Sequence, residues 1–375
     1  MKRIWLVAAS VVFSVAELRA DHRVTLIPSL EITEVNDDNL NFSPDEPLRD
    51  RVRRVTPALA LRFDSPRWSA RFLSAVDSEQ YASHSNLDDN LARERATLNI
   101  QYQATSRLVF SADSSFLGTN TLADLNTDTA LAAARVRGRR FAVTPSARFR
   151  MSSTMTVTAS ASSVATNVVN GIGMRSREQS IAVERRVTPL LAFTIDYEHS
   201  RFLFTGRTSQ SIESHSLLAG WSRNLGAHDR VTLRLGPRFS DGSPSADISA
   251  SLRHNWKRSS IDSSILRNQT AVIGYAGPVE SESVQSKFSF TSQRQWIAYA
   301  EPAVFRTRQD RRQGIVYRIS VGSRCAIGSF LGADVRYSRD TQHGAIDPLW
   351  ANARFSHSTF SVGFITHWND PDRMR

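Results

Sequence analysis

Histidine, serine and acidic side chains are the first places to look for chemistry, and the nine histidines of this chain stand at no spacing that makes a site. A zinc hydrolase would show HExxH on a helix and a serine hydrolase GxSxG at a strand-to-helix turn; neither motif occurs. A serine, a histidine and an acid could then meet only through the fold, as in barrel-borne lipases and proteases, with His84 and His343 in polar segments as the candidates. The stretch "NDDNLNFSPDEP" holds oxygen ligands suited to Ca²⁺ but lacks the glycine and closing glutamate of an EF-hand, so it reads as a turn-rich acidic loop. Cys325 is the only cysteine, so no internal disulfide can form. No enzymatic activity, no metal and no cofactor are expected.

Arginine is the residue type whose distribution is unusual. All but three of the 47 cationic side chains are arginine, against 36 acids, for a net charge of +11. Nucleic-acid binders gather cations into patches with stacking aromatics or onto a recognition helix. Here they are spread along the whole chain, and no nucleic-acid partner is expected. Many recur between apolar residues at every second position. In "RVTLRLGPRFSDGSPSADISASLRHNWK", Val231, Leu233, Leu235, Pro237 and Phe239 alternate with Thr232, Arg234, Gly236 and Arg238. Beyond "SDGSPSAD", which reads as a loop, Ile248, Ala250 and Leu252 alternate with Ser249, Ser251 and Arg253. Period two means strands with one apolar and one polar face.

The same pattern recurs from end to end: Leu26, Pro28, Leu30 and Ile32; Val55, Pro57, Leu59, Leu61 and Phe63; Phe141, Val143, Pro145, Ala147 and Phe149; Leu191, Phe193, Ile195 and Tyr197. Tight turns ("DSPR", "TSR", "MSS", "KRSS", "SQRQ") alternate with longer polar joins: "NDDNLNFSPDEPLRD", "DSEQYASHSNLDDN", "LGTNTLADLNTDT", "RNQTAVIGYAGPVESES" and "DTQHGAID". Short turns at one end and long loops at the other predict an up-and-down antiparallel transmembrane β-barrel, all-β, with about 18 strands (16–20). That count merges "PLWANARFSHSTFSVGFITHW" into one final strand with a bulge near His357.

The compartment is written at the N-terminus. Lys2 and Arg3 precede the apolar "IWLVAASVVFSVA", and small residues at Ser14 and Ala16, or at Ala20, offer a cleavage site. Residues 1–20 therefore read as a signal peptide and 21–375 as a single barrel domain. After the signal no apolar run reaches the roughly 18 residues of a membrane helix, whereas a membrane strand needs only about 9–11. The apolar rows then face lipid, and the polar rows face the lumen: Arg62, Arg71, Arg148, Arg150, Arg234, Arg253, Arg318, Arg336 and Arg354, with many Ser and Thr and with Asp196, Glu198 and Glu301. An arginine on the lipid face would cost about 2–4 kcal/mol at mid-membrane. Barrels of this size keep an aqueous channel, so these nine arginines are the expected lumen-lining, selectivity-setting residues. The plainer account is that they only line a wet wall.

A signal peptide, a first strand ending in Asn36-Asp37-Asp38-Asn39-Leu40 and a proline-bearing second strand, "VTPALALRF", resemble the β-barrel porins found with exopolysaccharide and exosortase gene clusters in Gram-negative bacteria. The resemblance implies an outer-membrane porin in contact with outer-membrane lipid, lipopolysaccharide and the barrel assembly machinery. It further implies work with periplasmic polysaccharide-export components, passing exopolysaccharide; the arginine-lined lumen itself suggests anionic solutes. The chain departs from the usual aromatic insertion signal, since "NDPDRMR" follows Trp368. The other expectation to test is a structural or adhesion barrel whose lumen is blocked by "NDDNLNFSPDEPLRD" or "RNQTAVIGYAGPVESES" folded inward.

Overall fold

A computed structural model describes residues 23–132, 135–205, 210–226, 228–292, 296–328, 330–346 and 354–367. Residues 1–20, expected as a signal peptide, and Trp368 lie outside them. Eighteen strands follow one another: β1 (Arg23–Asp37), β2 (Asp50–Asp64), β3 (Trp68–Tyr81), β4 (Asp89–Gln103), β5 (Leu108–Thr119), β6 (Gly138–Arg150), β7 (Met155–Val168), β8 (Gly173–Thr188) and β9 (Leu191–Thr205) make the first half. The second half comprises β10 (Gln210–Asn224), β11 (Asp229–Ser240), β12 (Ser243–Asn255), β13 (Ser259–Ala271), β14 (Pro278–Thr291), β15 (Trp296–Gln309), β16 (Arg312–Ile327), β17 (Leu331–His343) and β18 (Arg354–His367). Each pairs antiparallel with its sequence neighbours, and β1 pairs with both β2 and β18, closing an 18-stranded barrel. Among the described residues no helix is long and apolar enough to cross a membrane.

Residues directly paired across an antiparallel ladder share a face, so the registers carry the apolar row around the barrel. Leu235, Phe239, Leu252 and Ile265 lie on the outer row with large exposed areas, and so do Ile181, Ile195 and Leu217 on the adjoining arc. Aromatic rings gather at the end that carries the short turns: Trp68 stacks on Tyr102 at 4.3 Å, and Trp296 meets Phe290 edge-on. Such girdles mark the boundary between an apolar band and water in membrane barrels.

The long joins are shorter than the sequence pattern suggests, because strands continue beyond the apolar band. "SDGSPSAD" is not a loop: Asp241 and Gly242, with φ of +46° and +79°, make a two-residue turn, and Ser243–Asp247 run on as strand paired with Gly236–Ser240. Positive φ at both central positions is what a type I′ hairpin requires. Likewise "DSEQYASHSNLDDN" contains the end of β3 and the start of β4, leaving only residues 82–88 between them. Above the band both faces of a strand meet polar surroundings, so the alternation fades while the ladder persists. Nor is there a bulge near His357. β18 runs unbroken from Arg354 to Thr366 against β17, with Phe355 and Phe360 on opposite faces.

One ladder is incomplete: β12 and β13 pair only from Asn255↔Ser260 to Ile248↔Arg267. Beyond that point side chains of β11 reach past β12, with Arg238 on Glu280 of β14 and Ser240 Oγ accepting from Gln269 Nε2 of β13 at 3.0 Å. Close approach also fixes Gly236 in β11, where an added Cβ would land on the carbonyl of Leu217 in the neighbouring strand. We expect Gly236→Val to lower the unfolding free energy by about 2 kcal/mol, read as an earlier midpoint in urea unfolding of the refolded barrel.

Candidate functional site: the lumen and its crossing loop

The inner rows are set by parity from the strands that pack against a loop. Residues 120–132 leave β5 and reach the wall formed by β13 to β17, on the opposite side of an 18-strand ring, which they can do only by crossing the lumen. Ala130 and Leu131 pack with Val272, Val279, Phe305, Val316 and Ile346. Nearer its start, Leu122 and Leu125 pack with Ile273. Two buried polar links pin the turn. The Asn126 side chain donates to the Leu131 carbonyl at 3.0 Å and accepts from the Ile273 N–H at 2.8 Å. The Ala132 N–H reaches Gln342 Oε1 at 3.0 Å, and Ser281 Oγ donates to the Asp128 carbonyl at 2.8 Å. The loop docks below the rim: Phe305 lies four residues inside the end of β15.

The two segments expected as plugs also turn inward, but only at the mouth. In "NDDNLNFSPDEPLRD", Leu40 joins Val35, Val52 and Tyr81 on the inner wall, and Phe42 lies on His357 with centroids 4.7 Å apart. Its carboxylates serve as acceptors: Asp37 for His357 at 3.0 Å, Asp38 for the Ser358 N–H at 2.6 Å, and Asp50 for the Ser83 and His84 N–H groups. From "RNQTAVIGYAGPVESES", Val272 and Ile273 pack beneath the crossing loop. The crossing segment itself contains "LGTNTLADLNTDT", which the sequence presents as one more polar external join.

Eight of the nine predicted arginines fall on the inner row. Arg62 and Arg71 are direct partners on β2 and β3. Arg148 and Arg150 project from β6, paired with Thr158 and Thr156. Arg234 lies 3.5 Å from Asp196, Arg253 holds Asp262, and Arg318 grips both oxygens of Asp340 at 2.8 and 2.7 Å. Arg336 faces Gly322 on the inner row, with no acidic partner among the described residues. Arg354 is the exception and a correction: it shares its parity with Phe360, Val362 and Phe364 and stands on the outer row at the start of β18, paired with His343. The expected bulge would have flipped the upper part of the strand; without it, Arg354 faces out.

Further cations on the inner row escaped the sequence reading although the same parity reveals them. Arg230 pairs with Arg253, Arg140 follows the row of Arg148, and Lys287 reaches Glu301 at 2.6 Å. A recess of about 690 Å³ lies under the crossing loop, with Thr127 of the loop in its lining. Its charged lining is Arg230, Arg253, Lys287, Arg318 and Arg336 against Asp262 and Glu301. A smaller recess of about 230 Å³ has the opposite balance, with Glu178, Glu198 and Asp247 beside Arg238 and, where the β12–β13 ladder ends, the outer-row Arg267. The charge balance of the lining therefore changes along β11 to β13, cationic nearer the short turns and more acidic toward the long-loop ends. On the β2–β4 arc the charges close on each other: Arg54 holds Glu79 at 2.7 Å, Arg95 holds Asp77 at 2.7 Å, and Arg93 lies 3.6 Å from Asp124 of the loop.

The fold does not bring the two candidate histidines together. His84 Nδ1 lies 2.8 Å from Asp50 at the rim, whereas His343 stands edge-on to Tyr317 on the outer row. Among the described residues no group of His, Cys, Asp and Glu could hold a metal ion.

These features define a closed antiparallel barrel whose hydrated lumen is crossed by one docked loop. No known protein family and no curated protein matches the sequence, so the resemblance to exopolysaccharide-cluster porins rests on residues 36–40 and 55–63 alone. Similar solved structures are outer-membrane β-barrels. They include Pseudomonas aeruginosa OccK7 (OpdD), at 10% identity and a TM-score of 0.51 over 93% of this chain and 99% of that one. OccK3 (OpdO) of the same organism is likewise similar, at 10% identity and a TM-score of 0.51 over 95% and 98%. At that identity the likeness shows the shared fold.

The crossing loop should answer to its pins. Asn126→Ala removes two buried hydrogen bonds and should weaken docking by about 2 kcal/mol. We expect larger and noisier single-channel currents than those of the parent in a planar bilayer, with little change in the urea midpoint of the barrel.

Proposed function

We propose that the chain is an outer-membrane porin-like channel through which small anionic solutes diffuse. The supporting observation is the recess beneath the crossing loop, where five cations meet two acids at the level at which the loop narrows the lumen. Eighteen strands would leave a wide aqueous passage; a segment spanning it reduces the free width and forces a solute against the wall. Low-dielectric walls focus the field of the arginines, so anions are concentrated and cations repelled. Arginine suits this task because its guanidinium keeps its charge and presents a planar fork to carboxylates and phosphates. A docked loop across the lumen favours small solutes over an extruded polysaccharide chain, which would need the full bore.

The outer-membrane setting is supported by the outer apolar row, the aromatic girdle and closure without an edge, the combination strands need in hydrocarbon. With the short turns toward the periplasm and the long loops outward, the crossing loop enters from the external side. In salt-gradient bilayer recordings we expect a reversal potential of anion-selective sign. In Arg253→Ser/Lys287→Ser/Arg336→Ser it should move most of the way to the unselective value while open-channel conductance is kept. A barrel that inserts yet stays silent, or one that prefers cations, would overturn this function.

A further inference from the structure

Above the apolar band the outer face carries charge, and its balance varies from arc to arc: β17 and β18 present Arg339 and Arg354 without an ion pair among the described residues, and β6 to β9 carry a larger surplus. On β13 to β15, Arg267, Arg306 and Arg308 are matched by Glu280 and Glu282, with contacts of 3.3 to 3.8 Å. On β1 and β2, Arg51 holds Glu34 at 2.9 Å. On β6 to β9 the outer row presents Arg139, Arg175, Arg177 and Arg201, all exposed, and the nearby acid is Glu213, 3.5 Å from Arg201. Arg177 and Arg201 are moreover direct cross-strand partners. Like charges placed opposite one another on a sheet destabilise it; the single carboxylate of Glu213 offsets only part of this pair's charge, so a further anion laid over it would stabilise it.

Height decides which anion. Ile181, Tyr197 and Leu217 form the last continuous apolar row on β8 to β10, with Leu203 alone beyond it level with Arg175, and Arg201 lies four residues further along β9 than Tyr197. At about 3.3 Å per residue and a strand tilt near 40°, that is roughly 10 Å above the apolar edge, the level of lipid headgroups rather than of acyl chains or free solvent. Between the two levels His199 stacks on His215 at 4.7 Å, and Tyr197 Oη meets His215 Nδ1 at 2.9 Å, a flat polar shelf beneath the arginines.

Resting on the membrane reading above, we infer that the outer arc of Arg175, Arg177 and Arg201 is a docking surface for the phosphate groups of a phosphorylated glycolipid in the leaflet at the loop end. Forked guanidiniums suit phosphate oxygens bidentately, and the acyl chains would lie on the apolar row below. The self-neutralised arc on β13 to β15 lacks this surplus and serves as the internal control.

The test uses the refolded full chain in detergent, with native mass spectrometry counting bound lipid. The probes are bisphosphorylated lipid A, its dephosphorylated form with the same acyl chains, and inorganic phosphate. We expect lipid A to bind, the dephosphorylated lipid to bind about tenfold more weakly, and Arg177→Ser/Arg201→Ser to weaken lipid A to the same degree. Arg306→Ser/Arg308→Ser should bind as the parent does. Equal binding of both lipids, competition by millimolar inorganic phosphate, or equal loss in the two double variants would each overturn the assignment. Both variants leave the lumen untouched, so bilayer conductance reports separately on the channel: a silent parent sinks the pore and not the lipid site, whereas an indifferent Arg177→Ser/Arg201→Ser protein sinks the site and not the pore.

Discussion

A strand in hydrocarbon has no water to satisfy its backbone, so every N–H and C=O needs a partner on a neighbouring strand, and a sheet can meet that demand only by having no edge. The pairing of β1 with β18, from Ser29↔His367 to Asp37↔Thr359, is the contact on which the rest depends. Once the ring is closed, side chains have two destinations, alternating residue by residue, and the sequence must carry two solvents in one strand. Thr232 and Arg234 beside Val231, Leu233 and Leu235 are the result.

Closure also dictates what the loops can do. An 18-strand ring is too wide for wall side chains to fill, so any narrowing has to come from a segment that enters from an end. Residues 120–132 do this with little more than a hydrophobic foot, Ala130 and Leu131 on Phe305 and Val316, and with the two hydrogen bonds of the Asn126 side chain. The loop creates two of the buried clusters, beside those around Leu40 and Phe204, in a barrel that otherwise has its apolar surface outside. It also sets the electrostatics: the arc on β2 to β4 closes its arginines on Asp77, Glu79 and Asp124, while the arc facing the recess keeps a surplus of cations.

How much of this was legible follows from the same physics. The period-two rows, their antiparallel succession, closure and the number 18 were all readable, because the apolar band imposes alternation wherever it touches a strand. Eight of the nine arginine assignments followed from parity alone. Strand ends were illegible: from Arg267 to Ala271 and from Pro278 to Ser283 both faces are polar or small, so strand looked like loop. The crossing loop was illegible for a different reason. "TLADLNTDTALA" has apolar residues at no strand or long-helix period, and its foot on β14 to β16 joins residues more than 140 apart in sequence.

Arg354 shows why parity has to be read together with height. The arginines on the outer row, among them Arg51, Arg139, Arg177, Arg201, Arg306 and Arg354, lie toward strand ends, whereas Arg234, Arg318 and Arg336 on the inner row stand near the middle of theirs. Lipid forbids the first group from the centre of the band but welcomes it at headgroup level, and water permits the second group anywhere along the lumen. The same side chain thus marks the edge of the band on one face and the wet wall on the other. An arginine's face is given by its parity, its solvent by its distance from the strand end, and a break in register near His357 would have changed the first without touching the second.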